Sequence, residues 1–121
     1  MTAASSREQP LRQLVALLPL LARNAQAQPD FEASDPALLV QIAEACELLQ
    51  RVISLGVGAV GQLLAHASVE VETGELGQEA VEAIGWLVAE SCDGAAAFMT
   101  LAARCRRATA DFTGARNGKA A

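Results

Sequence analysis

Apolar residues recur along this chain at intervals of three and four, the spacing that places them on one face of an α-helix. The clearest run is Leu39, Ile42, Cys46, Leu49, Ile53, Gly56, Val60, Leu63 and Ala67, stepping by 3, 4, 3, 4 throughout. It reads as an a/d seam of about four heptads, the pattern of a coiled coil. Leu38, Ala45, Val52 and Ala59 widen one flank, as expected for a helix with more than one neighbour. Asp35-Pro36 starts it: an N-cap side-chain oxygen, then Pro where its missing N–H costs nothing. The spacing predicts a helix over 36–68, roughly 50 Å long.

A second long run contains Val81, Ile84, Val88, Ser91, Ala95, Phe98, Ala102, Cys105 and Phe112. It predicts a helix over 78–112, with Asp93-Gly94 as its weak point because Gly costs about 1 kcal/mol in a helix interior. Nearer the N-terminus, Leu11, Leu14, Val15, Leu18, Leu21, Ala22 and Ala25 keep helical spacing around Pro19. Residues 10–26 are therefore expected as a kinked helix or as two short pieces meeting at Leu18. Residues 28–34 read as a linker between elements. Residues 69–77, where Val and Glu alternate, read as a loop with at most a brief extended segment.

Two long helices of similar length joined by a short loop define the expected fold. It is all-α: a long antiparallel helical hairpin plus a shorter N-terminal helix, forming one domain over 10–112. A flexible N-terminus (1–9) and a flexible basic tail (113–121) are expected to flank it. A lone hairpin leaves part of each seam uncovered, so the bundle is expected to be completed by dimerisation. Leu39, Ile42, Cys46, Leu49, Ile53, Gly56, Val60, Leu63, Ile84, Val88 and Phe98 are the expected helix-packing or dimer-interface residues. Gly56 and Gly61 read as positions of close helix approach.

Composition agrees with helix. Aromatics are 3% of the 121 residues, Tyr is absent and Ala is abundant. A hydrophobic content of 52% against 19% charged excludes a disordered chain. The net charge of −5 is unevenly distributed. Asp30 to Asp93 holds twelve carboxylates and one cation, Arg51, whereas the first 29 residues carry +2 and the chain from Gly94 onward +4. Arg104 and Arg107, on one face of the second helix, and Glu70 and Glu72, in the acidic block, are the candidate partner-binding residues. With net negative charge and almost no Lys, nucleic acid is an improbable partner. A regulator that uses the basic C-terminal tail on nucleic acid is a subordinate alternative.

Candidate chemistry is sparse. Cys46, Cys92 and Cys105 form no CxxC and all fit apolar helix faces, and His66 is the single imidazole. Neither a disulfide framework nor a zinc site of about four ligands is expected. No nucleophile motif accompanies His66, and Glu70, Glu72, Glu75 and Glu79 lack the spaced ligands of an EF-hand. Gly56-Val57-Gly58-Ala59-Val60-Gly61 is a literal G-x-G-x-x-G and resembles the dinucleotide fingerprint. An acid at Glu72 lies too close to it, and the heptad runs through the glycines unbroken. Nucleotide or small-ligand binding at Gly56, Gly58 and Gly61 is thus the alternative to the main reading. That reading is a small non-enzymatic protein–protein interaction module, without cofactor or metal, whose partners are its own copy and another protein.

Leu14 to Ala22 with the following Ala25-Gln26-Ala27 sketches a secretory signal, but Glu8 and Arg23 interrupt the pattern. At nine residues the run is too short to span a bilayer. A cytoplasmic protein without membrane attachment is expected, secretion being the alternative.

Overall fold

The computed structural model describes residues 9–111, all of whose regular structure is helical. The expectations for a flexible N-terminus, a basic tail and Phe112 in the seam fall mostly or wholly outside these residues. Helix α1 spans Pro10–Leu17 and runs into a 3-10 turn at Leu18–Leu20. Pro19 has no N–H to extend the α-helical ladder, and its ring would strike the carbonyl four residues back, so α1 stops after two turns. The two-piece reading of this segment therefore holds as far as Leu20. Beyond it the chain is irregular.

The connection from Leu21 to Asp35 is hydrogen-bonded throughout. The Asn24 side chain accepts from the N–H groups of Gln26 and Gln28. Ala27 sits at φ +61°, and Arg23 forms an isolated antiparallel bridge with Pro29. The buried Ser34 hydroxyl accepts from the Ala22 N–H at 3.0 Å and donates to the Asp30 carbonyl at 2.8 Å.

Helix α2 spans Pro36–His66, with the Asp35 carboxylate accepting from the Ala37 N–H at 3.1 Å as its N-cap. Residues 68–73 correct the loop expectation: Ser68–Thr73 is a short helix, α3. With no second strand to pair, the Val/Glu alternation lacks a sheet, and the local hydrogen bonds of a helical turn are satisfied instead. Gly74, at φ +82°, ends α3 in the left-handed region, where Cβ is unwelcome. Helix α4 spans Gln78–Ala108 and runs without interruption through Asp93-Gly94. Thr109 closes it by donating its buried hydroxyl to the Cys105 carbonyl at 2.9 Å.

The long helices α2 and α4 pack on each other, and α1 packs on α2. The Glu47 carboxylate meets Arg106 at 2.8 Å, whereas Ile53, Val57 and Val60 share a groove with Leu87 and Val88. Positions thus rise along α2 as they fall along α4, and the helices run in opposite directions. The fully buried core lies at one end only. Leu14 and Leu21 close over Leu39, Ile42, Ala43, Ala45, Cys46 and Leu49, with Ala102 and Cys105 from α4.

Past Leu49 the pairing is half-buried. On α2 it runs through Ile53, Val57, Val60, Leu64 and Ala67, and on α4 through Val81, Ile84, Val88, Ser91, Ala95 and Phe98. Within the single chain α2 turns Val57 and Leu64 toward α4, and Gly56 and Leu63, the latter 69% exposed, lie outside that contact. After Ile53 the steps are 4, 3, 4, 3, through Val57, Val60, Leu64 and Ala67. The close-approach reading of the glycines fails within the chain, since a Cβ at Gly56 or Gly61 would meet nothing within 4 Å.

Candidate interaction surface

The two ends of the molecule differ in how much apolar surface they leave in water. Around the core, α1 and the ordered connection cover α2. Beyond Val52, which still borders α1, no other described element lies on its outer side, and Val52, Leu55 and Leu63 are each exposed by half or more. Their spacing puts them, with Ala59 between, on one stripe facing away from α4. Helix α4 adds Trp86, Leu87 and Met99, which are exposed to a similar degree, and α3 adds Val69. Between the helices a groove of about 220 Å³ is lined by Ile53, Gly56, Val60, Leu87 and Val88. Soluble monomers rarely leave so many large apolar side chains in water. Val52–Val69 contains no Asp, Glu, Lys or Arg, and α2 is long and apolar enough to cross a membrane by length and composition.

Charged groups gather at the ends. At the core end, Arg106 grips Glu47 through two hydrogen bonds of 2.8 and 3.1 Å. Those bonds hold the Glu47 carboxyl below its usual 4.5, a weak desolvation opposing them, and hold Arg106 protonated. Arg104 stacks its guanidinium 4.5 Å above the Phe31 ring. With Arg107, Asn24, Asp30 and Glu32 it borders a shallow depression of about 500 Å³. Neither Arg104 nor Arg107 joins an ion pair among the described residues. At the other end, Glu70 and Glu72 lie on α3, so the four candidate partner-binding residues form two separate groups within one chain. Some 26 helical residues, about 40 Å, separate Gln78 from Arg104.

The remaining candidates are structural or exposed. Cys46 and Cys105 are buried and free, and burial, reinforced by Cys105 and Glu47, pushes the Cys46 thiol up to about 11. The Cys105 thiol is raised by burial against the opposing effect of Arg106 and Arg104. Cys92 is exposed, which corrects its expected place on an apolar face. His66 is exposed in the last turn of α2. No group of three His, Cys, Asp or Glu side chains suited to a metal occurs among the described residues. Gly56, Gly58 and Gly61 lie in mid-helix, where their N–H groups belong to the helix ladder and form no phosphate-binding turn.

The sequence pattern puts Ile84, Val88 and Phe98 on the inner seam and Val52 and Ala59 on a flank meant for another neighbour, but leaves out Leu55, Trp86 and Met99. Leu55, Trp86 and Met99 broke the 3–4 pattern, and that departure was the available signal. No protein-family model, curated protein or solved structure matches this chain.

Proposed function

We propose that this protein is a non-enzymatic interaction module that works by helix-to-helix association, first with a second copy of itself. The observation that carries this reading is the apolar surface left in water beyond the core, above all the α2 stripe of Val52, Leu55 and Leu63, with Trp86, Leu87 and Met99 exposed at separate points around α4. Burying each such side chain fully contributes about 1.5–3 kcal/mol. Trp and Met are also residue types enriched where proteins meet. Two such arms laid together along the α2 stripe bury it between them. A further protein partner docks on what that assembly leaves open, the charged ends included.

Sedimentation equilibrium of the 12.6 kDa chain tests the reading. A dimer mass at micromolar concentration is expected. A single-chain mass at every concentration overturns the reading. So does flotation with phosphatidylcholine vesicles as a monomer, which would place lipid on the face.

A further inference from the structure

We infer that the two copies associate antiparallel along the α2 stripe, Glu70 of each chain lying level with Arg51 of the other. This inference rests on the self-association reading and adds to it a direction, a register and the contacting charges.

The register comes from the charge pattern of the uncovered face. Val52–Val69 is uncharged, bounded by Arg51 on one side and Glu70 on the other. The midpoint lies between Val60 and Gly61. Two copies placed antiparallel about that midpoint bring Arg51 of each level with Glu70 of the other, so two opposite-charge pairs close the ends of one apolar stretch. The overlapped stretch, which passes from α2 into α3 at Ala67, is about 28 Å long at the rise of an α-helix. Both charged residues are exposed and sit in no ion pair within the described chain.

The same placement extends to the ends. Glu72 comes level with Leu49, within a turn of the Glu47–Arg106 pair that marks the height of Arg104 and Arg107. Arg104 and Arg107 themselves sit on α4 beside Asp30 and Phe31, away from the α2 stripe, so the pairing of the copies rests on Arg51 and Glu70. A parallel arrangement fails on charge. From Val52 to Ala103 the chain carries seven carboxylates and no Lys or Arg, five of the seven between Glu70 and Glu82. Parallel copies would lay those five against their equivalents and Arg51 against Arg51. Like charges at close range disfavour association, and a two-fold antiparallel interface separates the tips.

Cross-linking decides the direction. In a Cys92→Ser background, chains carrying Arg51→Cys are mixed and exchanged with chains carrying Glu70→Cys, then treated with a short bismaleimide. Cys46 and Cys105 are shielded by burial. Covalent dimers are expected in the mixture and absent from either variant alone. Self-cross-linking of either variant indicates a parallel arrangement and overturns the inference, as does a sedimenting dimer that never cross-links in the mixture. A monomer by sedimentation would instead remove the self-association reading beneath it. Charge exchange gives a second measure. Arg51→Glu or Glu70→Arg alone should raise the dissociation constant about twofold to thirtyfold through two surface pairs, and combining them should restore it. Additive losses in the combined variant overturn the pairing.

Discussion

Leu63→Lys tests the placement of Leu63 on the outer face of α2 rather than against α4. If Leu63 packed on α4, the substitution would bury an ammonium and unfold the arm. The side chain is 69% exposed in the single chain, so Lys there costs the isolated fold almost nothing. Its effect falls on association. Burying a fully exposed Leu contributes about 1.5–3 kcal/mol, so the exposed share corresponds to about 1–2 kcal/mol per copy. By two-fold symmetry the dimer loses about 2–4 kcal/mol, a rise in dissociation constant of about thirtyfold to sevenhundredfold. Sedimentation equilibrium reads that change, and far-ultraviolet circular dichroism checks that helix content is unaltered. Ile42→Ala, at a fully buried position, is the converse control, expected to cost about 2–5 kcal/mol of fold stability. A Leu63→Lys protein that dimerises like the parent, or one that loses its helices, refutes the assignment of this residue to the outer face.

Other substitutions probe the glycines, the ion pair and the thiols. Gly61→Ala has open space for its Cβ inside a helix, so thermal unfolding should show a gain of about 0.4–1 kcal/mol in the isolated fold, whereas Gly74→Ala, forced to φ +82°, should lose stability. Because Arg106 depresses the Glu47 titration, the pair stabilises the fold above pH 4.5 and that contribution vanishes as pH falls through the depressed value. Both side chains are nearly half exposed, which limits the effect to less than about 1 kcal/mol, and Glu47→Gln should flatten that part of a urea-unfolding pH profile. With Ellman's reagent at pH 8, one thiol, that of Cys92, should react at once, and Cys46 and Cys105 should react only as fast as the fold opens.

The fold was legible in sequence where chemistry and pattern agreed. Asp35-Pro36 marked the start of α2 because capping and a fixed φ act locally, and the seam of α4 kept one phase from Val81 to Cys105. The errors arose where two patterns satisfied the same rule. After Ile53, a seam through Gly56 and Leu63 and one through Val57 and Leu64 are both helical, and only packing against α4 selects between them. The glycines invited a close contact that a single chain does not contain. Ser34 escaped notice because a hydroxyl joining Ala22 to Asp30 leaves no periodic trace. The candidate surface was half legible: its charged residues were recognised, but its apolar stripe is defined by what fails to cover it.

Because the buried core is complete by Leu49 and resumes only at Ala102, the fold's anchorage does not depend on the length of its arm. Seven residues added to or removed from each long helix would return both seams to the same phase and move the tip by about 10.5 Å. The arm is in this sense a ruler graduated in heptads. Its reach is adjustable by paired insertions while the anchored end keeps every contact it has.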